Sequence, residues 1–531
     1  MKMERQQLHT TSTVSRKLKR VTAIAVAAVM ALGLAACSGG GESGETQEPQ
    51  EPRILRIGSA AAQNSLDPAL IAVGADAFLY PVYETLIKRD AQALLGPGLA
   101  TEWELSDDAT ELTLTLREGV TFHDGAPFDA DAVKANLEAA PDRGGAIASQ
   151  LRIVTDVEVI DDTHVKLTMS RPAADILGVL ASQAGMMISP EALGSQDLGT
   201  NPVGTGPFLL DSVTQNKTSF VAWDGYWDPD RIKLDGIEFL RLDEAQTRLN
   251  AVLTGEVDIA MVMPFPSVAE QKERAPDTVI SEIGYRAYSV ALWVNSAQGK
   301  WANPALRQAA MHAIDRAGIA ESLYGDGGCE PVIQPYPTSY WASDPALADH
   351  EAGEYDPALA QELIEDAGLV GTPVNIYVGS VPVYQNMAAS IQEQFNAVGL
   401  SVTVEALDTG TLSDLRSKGQ FEASIAVVEA GRPDPAQFVA QYYMPDGVFN
   451  YGRQVYEGIE EPLAAMNATV DQDERAGYMH EINELVLEQG PFIMPICSPT
   501  QVTMHSADVA GVEVWLNNDN DYTGVYFKED K

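Results

Sequence analysis

The sequence predicts an α/β protein of two lobes, and three observations lead to this prediction. Its 531 residues exceed what one hydrophobic core accommodates, because single cores stop growing at roughly 250–300 residues. Between 54 and 170, apolar and polar residues alternate, as they do in half-buried strands. After residue 290 helical and strand patterns alternate, which is typical of an α/β lobe. Two lobes joined by more than one crossing form a hinged cleft, the usual place for a ligand.

The elements of the first part follow from this alternation. Strands are predicted at 54–57 and at 112–116, where leucines alternate with threonines. Two further strands, 157–160 and 165–169, flank an Asp-Asp pair and predict a hairpin. Between the strand at 112–116 and this hairpin, the segment 129–134 predicts the capped start of a helix.

The second part begins with a helix. Asn303-Pro304 predicts an N-cap with proline at the first helical position, and an apolar face continues to Ala317. A second helix begins at Asp356-Pro357 and ends at Gly368, and a third covers 387–395. Strands are predicted at 291–295, 374–378, 402–406 and 424–428. The last forty or so residues return to the first lobe.

The N-terminal segment predicts export and a lipid anchor. A basic stretch at 16–20 precedes an apolar run at 21–34, which is the order of a secretory signal. The run is too short to span a bilayer of roughly 30 Å. Leu34-Ala35-Ala36-Cys37 resembles the lipobox of bacterial lipoproteins, which implies that residues 1–36 are removed and that Cys37 is lipidated. An ordinary cleaved signal with a chance cysteine is the alternative.

The segment after Cys37 predicts a tether. Residues 38–52 contain only Gly, Ser, Glu, Gln, Thr and Pro and no large apolar side chain, so they bury too little surface to offset their ordering entropy. The expected location is therefore the outer face of the cytoplasmic membrane, on the periplasmic or cell-surface side. The lipid is the only expected contact with the membrane.

Composition excludes several classes of function. The chain has 34 Lys and Arg against 76 Asp and Glu, a net charge of −42, which argues against binding nucleic acid or anionic lipid surfaces. It has no CxxC or HExxH set, so no metal and no cofactor are expected. The remaining cysteines, Cys329 and Cys497, are predicted to form a disulfide, since a pair outside the cell is more often bridged than free. Two unrelated buried thiols are the alternative.

One segment carries a resemblance to a known family. Residues 116–128 (LREGVTFHDGAPF) resemble the most recognisable stretch of the family 5 extracellular solute-binding proteins, the peptide/nickel-type receptors of ABC importers. Further matches cover roughly 54–500 in the order of the family, at 99–108, 201–208, 226–227, 255–258, 306–316 and 355–357. Each match is weak alone, and the ordered set is specific.

The resemblance implies a periplasmic-binding-protein-like fold. The first lobe would comprise 53–290 and 495–531, with a β-rich subdomain inserted at about 75–190, and the second α/β lobe would comprise 291–494. Family members close on a ligand and then dock on a membrane permease, with no bond chemistry. The resemblance thus implies a monomeric, non-enzymatic receptor for a small molecule.

A short peptide is the expected ligand. Sugars, opines or metal chelates remain alternatives, as does a surface adhesin or chaperone with the same fold. An exported hydrolase is disfavoured because the sequence has no GxSxG or HExxH motif.

Candidate binding residues in the first lobe come from the resemblance. Ser65 and Leu66 lie in a turn that relatives use to line the site. Thr205 lies in a Gly-rich turn that lacks the following lysine or helix start of a phosphate-binding loop. In relatives such turns approach the cleft.

Other candidates lie near the expected crossings between the lobes. Tyr285, Arg286 and Tyr288 precede the strand that should enter the second lobe. Trp293 and Asn295 share one face of that strand. The indole of Trp293 is predicted either to stack against a ligand or to pack the lobe.

The segment 429–435 departs from the family pattern. Peptide-binding relatives often carry an additional upstream Asp here, which pairs with the ammonium group of the peptide. This chain has Gly431-Arg432 instead, and Arg432 would favour a carboxylate or another polar oxygen. Asp434 is predicted either to begin a helix or to contact the ligand.

Overall fold

The protein is represented by a computed structural model that describes residues 52–528 apart from 62, 64, 72–74, 298, 430–433 and 517–519. The predicted signal, the lipidation candidate Cys37 and the binding candidate Arg432 lie outside the described residues. In the described part of the chain, no helix combines the length and apolar character that crossing a membrane requires.

Strands dominate the first part of the chain. They are β1 (Ile54–Ser59), β2 (Ile87–Arg89), β3 (Leu95–Pro97), β4 (Ala100–Leu105), β5 (Glu111–Leu116), β6 (Val154–Asp161), β7 (His164–Met169), β8 (Phe208–Val213), β9 (Lys217–Ala222), β10 (Gly236–Arg241), β11 (Ile259–Met263) and β12 (Val279–Tyr285). The helices between them are α1 (Ala130–Arg143), α2 (Gly145–Leu151), α3 (Ile176–Leu180), α4 (Ala245–Thr254) and α5 (Ser267–Arg274).

Helices and strands alternate in the second part. The strands are β13 (Tyr288–Val294), β14 (Cys329–Pro331), β15 (Pro373–Val378), β16 (Ser401–Ala406), β17 (Ala423–Glu429), β18 (Ile493–Ser506), β19 (Val509–Ala510) and β20 (Tyr526–Phe527). The helices are α6 (Pro304–Ala313), α7 (Arg316–Tyr324), α8 (Pro357–Asp366), α9 (Pro382–Ala397), α10 (Thr409–Ser417), α11 (Pro435–Tyr442), α12 (Glu460–Met466) and α13 (Gln472–Glu488).

The predicted helix starts are confirmed by their caps. Asp129 accepts a hydrogen bond from the backbone N–H of Ala132, and Asn303 and Asp356 cap α6 and α8 in the same way ahead of a proline. The predicted helix through Ala317 is wrong in one respect. It is broken after α6, because the side chain of Asp315 accepts from the backbone N–H of Gly318 and begins α7.

One mixed sheet of twelve strands organises the molecule. Its main path is β16-β15-β17-β13-β18-β11-β1-β10-β9-β8, and β12 and β14 pair with β18 at its sides. The strand β18 is paired with β13 and β14 along its first part and with β11 and β12 along its second part. We call β1, β8–β12 and the end of β18 the first half-sheet, and β13–β17 and the start of β18 the second half-sheet.

Each half-sheet and the small sheet has its own hydrophobic core. A cluster of buried apolar side chains drawn mostly from 287–497 packs on the second half-sheet, and two clusters pack on the first half-sheet. A further cluster at 86–187 surrounds the small sheet β4-β5-β7-β6. The domain limits at 75, 190, 290 and 495 stay a prediction.

His123 ties the small sheet to the first half-sheet and gives a testable dependence of stability on pH. Its Nε2 donates to the Gly206 carbonyl at 2.9 Å, and its Nδ1 accepts from the Gly204 N–H at 3.4 Å. This pair of bonds needs the neutral ring. Burial lowers the pKa of His123 below its usual 6.5, so the unfolded chain takes up the proton first as the pH falls. Stability is therefore expected to decline as the pH drops below about 6.5.

Chemical denaturation of the wild type and of His123→Gln between pH 7.5 and 5 measures this decline. The variant is expected to lose less stability over that range than the wild type. Equal slopes for the wild type and His123→Gln would show that His123 carries no such dependence.

Candidate functional site

The chain passes between the two half-sheets at two adjacent places. One is the short link between β12 and β13, and the other is the middle of β18. In the register of the sheet, Tyr285 is opposite Thr500, and Val290 is opposite Cys497. The two crossings therefore lie side by side, which is the arrangement of a hinge between lobes.

A glycine-rich loop is fixed to the β18 crossing. Cys329 and Cys497 are joined in a disulfide. The Gly327 and Gly328 carbonyls accept hydrogen bonds from the hydroxyl and the backbone N–H of Thr500, at 2.6 and 3.0 Å. Gly327 has φ of +80°, a conformation that favours glycine. The loop thus forms a fixed wall beside the hinge.

Four tyrosines and two opposite charges lie near this loop and the β12–β13 crossing. Tyr285, Tyr288 and Tyr324 come from strand and helix ends at the crossing, and Tyr384 comes from the first turn of α9. The two charges are Arg286, in the link, and Glu429, which is opposite Tyr288 at the end of β17. We call these six residues the hinge cluster.

Electrostatic contacts connect four members of the hinge cluster: Arg286, Tyr288, Tyr384 and Glu429. The Arg286 guanidinium lies 4.6 Å from the centre of the Tyr288 ring. Burial raises the pKa of Tyr288 to about 12, while Arg286 opposes the rise and Glu429 adds to it. Burial raises the pKa of Tyr384 as well, with the same two charges acting in the same directions. Both charges therefore act on the same two phenols.

The hinge cluster has unused hydrogen-bonding capacity. The Tyr324 hydroxyl is buried and has no hydrogen-bond partner among the described residues. Within the same described part, neither Arg286 nor Glu429 has an ion-pair partner within 4.0 Å. A cation and an anion held near phenol groups, with no ion pair among the described residues, can bind a ligand that carries both charges.

Of the candidates predicted from the sequence, Tyr285 and Arg286 lie in the hinge cluster. Ser65 and Leu66 lie in the first lobe, where the Ser65 hydroxyl accepts from the Asp67 N–H and the Leu66 side chain is fully buried. Thr205 is also fully buried there, and its hydroxyl lacks a partner among the described residues. The structure does not bring these three residues into the hinge cluster.

Trp293 and Asn295 lie at the far end of β13. Trp293 is five residues beyond Tyr288, roughly 17 Å along the strand, and its ring packs on Tyr442 and Tyr451 at 5.7 and 5.8 Å. The Asn295 amide donates to the Gly419 carbonyl at 2.9 Å. Trp293 therefore packs within the lobe, and stacking of its indole against a ligand stays a prediction.

Asp434 is used within the protein. It caps α11 by accepting from the Ala436 N–H at 2.8 Å, and it pairs with Arg475 at 2.5 Å. Both side chains are about 95% buried or more. The structure shows the helix start predicted at Asp434, and a ligand contact there stays a prediction.

Sequence reasoning selected Tyr288 with Tyr285 and Arg286, but it did not select Tyr324, Tyr384 or Glu429. A signal existed for Glu429, which directly follows the predicted strand 424–428 and begins the segment 429–435 that departs from the family pattern. Tyr324 directly precedes the glycine-rich loop. No sequence pattern indicated that the first turn of α9 borders the hinge.

One cavity in the described part of the chain is too small to bind a peptide-sized solute. A cavity in the first lobe, lined by Tyr83, Glu84 and Arg231 among others, has a volume of about 40 Å³. Ligand pockets usually have volumes of roughly 300–1,000 Å³, whereas a few water molecules would fill this one. The described residues contain no cluster of three or more His, Cys, Asp or Glu that could hold a metal ion.

Comparison with known proteins shows the family of the chain. The model for bacterial extracellular solute-binding proteins, family 5, matches residues 95–450. The glutathione-binding protein GsiB of Salmonella paratyphi A is 30% identical over 460 residues, which cover 83% of this chain and 87% of that protein. GsiB of Escherichia coli O157:H7 is 29% identical and covers 84% and 88%.

Solved structures of the same fold align over most of the chain. HbpA2 from Haemophilus parasuis gives a TM-score of 0.80 at 23% identity and covers 90% of this chain and 100% of its own. NikA from Brucella suis, in complex with Fe(III)-EDTA, gives 0.77 at 21% identity with the same coverage. DppA from Helicobacter pylori, in complex with the peptide STSA, gives 0.71 at 24% and covers 90% and 98%. The chain is therefore a solute-binding protein rather than an enzyme, and it belongs to the bacterial extracellular solute-binding proteins of family 5.

Proposed function

We propose that this protein is the substrate-binding component of an ABC importer, and that it captures a short peptide between its two lobes and delivers it to a membrane permease. The relatives at 29–30% identity are named for binding glutathione, a tripeptide, and one structural neighbour holds a tetrapeptide. The sequence also favours attachment to the outer face of the cytoplasmic membrane through a lipid on Cys37, with 37–52 as the tether.

The observation that carries the proposal is the pairing of charges in the hinge cluster. Arg286 and Glu429 act on the same two phenols, and neither has an ion pair within the described part of the chain. An ammonium group binds to Glu429, and a carboxylate binds to Arg286. Glu429 thus takes the role of the additional Asp that this chain lacks. Closure of the lobes around such a ligand is stabilised by its contacts with both sides of the hinge.

A calorimetric titration of residues 53–531 tests this proposal. The panel contains glutathione, trialanine, dialanine, a disaccharide, an opine and Fe(III)-EDTA. Peptides are expected to bind and the other classes are not. Glu429→Gln and Arg286→Gln are each expected to weaken peptide binding by about tenfold or more, because a charge-assisted hydrogen bond contributes about 1.5–3 kcal/mol.

Two exposed charges serve as matched controls. Glu365→Gln on α8 and Arg274→Gln on α5 change the same groups away from the hinge and should leave affinity unchanged. Binding of a sugar, opine or chelate alone would contradict the peptide class. Peptide binding that both hinge variants leave intact would contradict the assignment of the hinge cluster.

A further inference from the structure

A further contact joins the two parts of the molecule, through segments other than those of the hinge. The backbone N–H of Ala174, just before α3, donates to the Asn467 carbonyl, just after α12, at 2.9 Å. The helix α3 belongs to the core at 86–187, whereas the last residue of α12 belongs to the core on the second half-sheet. The hydrogen bond therefore bridges two separate cores.

Charges from both parts also act on one buried tyrosine. Tyr340 belongs to the core on the second half-sheet. Burial raises the pKa of Tyr340, while Arg89 of β2 and Arg475 of α13 both oppose this rise. The strand β2 contributes Ile87 to the core at 86–187, so a second segment of that core approaches the second part.

A rotation of the lobes about the hinge would separate these segments. The small sheet is tied to the first half-sheet, because His123 binds the backbone of Gly204 and Gly206 shortly before β8. The turn at 171–175, between β7 and α3, therefore moves with the first lobe, whereas α11 and α12 move with the second. We call residues 171–175, together with Asp434 and Asn467, the latch.

An ion pair lies on each side of the latch. In the first lobe, Arg171 donates to both oxygens of the Asp175 carboxylate, at 3.2 and 3.0 Å. In the second lobe, Arg475 pairs with Asp434 at 2.5 Å. The Asp175 side chain is 2% exposed and that of Arg171 is 42% exposed. The carboxylate is thus buried, while its cation reaches the solvent.

The two acids interact across the latch. Burial raises the pKa of Asp434, Arg475 opposes this rise, and the Asp175 carboxylate adds to it. Such an effect is that of a nearby like charge, which repels the ionised form. Arg171 offsets the charge of Asp175 and so reduces the repulsion.

We propose that the latch sets how readily the two lobes close, with Asp175 opposing closure through its repulsion of Asp434 and Arg171 favouring it. The inference rests on the proposed function, because closure around a solute is the step that the latch regulates. The apparent affinity of a solute scales with the fraction of the protein that is competent to bind it. A change in the latch therefore alters affinity while the hinge cluster stays the same.

Two neighbouring substitutions should shift affinity in opposite directions. Arg171→Gln leaves the charge of Asp175 without its cation, so trialanine and glutathione should bind about threefold more weakly, the size expected of a partly exposed ion pair. Asp175→Asn removes the repulsion at nearly the same side-chain volume, so both peptides should bind about threefold more tightly. Calorimetric titration measures both. Damage to packing alone would weaken binding in each variant.

Small-angle X-ray scattering without any peptide reports closure independently of the solute class. The radius of gyration of Arg171→Gln is expected to exceed that of Asp175→Asn, because the first substitution favours separated lobes and the second favours closed ones.

A second ion pair provides matched controls. Arg56 and Asp258 pair at 2.8 Å, and their side chains are 41% and 8% exposed, much like those of Arg171 and Asp175. Both belong to the first lobe, on β1 and just before β11. Arg56→Gln and Asp258→Asn should therefore leave peptide affinity unchanged and have equal radii of gyration.

The outcomes distinguish the latch from the peptide receptor. Equal radii of gyration for Arg171→Gln and Asp175→Asn, or a shift of affinity in the same direction for both, would overturn the latch and leave the peptide receptor intact. Failure of trialanine and glutathione to bind any variant would contradict the peptide receptor. In that case the comparison of the two radii would still decide the latch.

Discussion

Replacing Asp434 with alanine is expected to destabilise the protein by about 3–5 kcal/mol, because it leaves the guanidinium of Arg475 buried without its carboxylate. Arg475 and Asp434 are joined at 2.5 Å, and both side chains are at least 95% buried. Burial raises the pKa of Asp434 and Arg475 opposes that rise, so the carboxylate depends on this partner. Denaturation with guanidinium chloride at pH 7 measures the loss.

An exposed helix cap is the control that separates the stability lost with the cap from the stability lost with the buried ion pair. Asp408 begins α10 by accepting from the Thr411 N–H, much as Asp434 begins α11, but it lies at the surface. Asp408→Ala should cost only about 1 kcal/mol. In an Arg475→Met background, Asp434→Ala should cost much less than in the wild type, since no charge is left unpaired. A loss for Asp434→Ala no greater than for Asp408→Ala would refute this account of the pair.

Removing the disulfide is expected to have a similarly large effect. Cys329 and Cys497 are separated by 168 residues, and in the chain-entropy model closing such a loop stabilises the native state by about 5 kcal/mol. The double variant Cys329→Ala/Cys497→Ala should therefore unfold at a markedly lower denaturant concentration. Because the bond also fixes the glycine-rich loop beside the hinge, peptide affinity should fall in parallel.

The reduced wild type is the matched control for this variant. If the bond itself provides the stability, the wild type unfolded and refolded with a thiol reductant should match the double variant. A reduced protein as stable as the oxidised one would show instead that the alanines damage packing around Cys497, which is fully buried.

Much of the fold was predictable because its signals are local. The caps Asp129, Asn303 and Asp356 mark helix starts through contacts two or three residues away. The family resemblance is confirmed by the match over 95–450 and supplied the two-lobed arrangement. The break between α6 and α7 was missed because Ile314 continues the apolar face, while the competing cap by Asp315 leaves no mark on hydrophobic periodicity.

The site was less predictable because it depends on contacts between distant segments. Alternation assigned Trp293 and Asn295 to one face of their strand, but a central strand is buried on both faces, so the pattern does not indicate what covers that face. Tyr384 and Glu429 approach Tyr288 only through the packing of α9 and the pairing of β17. Such neighbours come from tertiary structure alone.

The strand β18 has a consequence for how the protein unfolds. Its fourteen residues contribute side chains to the cores of both half-sheets, from Ile493, Met494 and Ile496 on one side to Val502 and Met504 on the other. Neither half can release this strand without exposing apolar surface that belongs to the other. The shared strand therefore couples the two halves into one cooperative unit, so that two lobes built to move against each other still melt together.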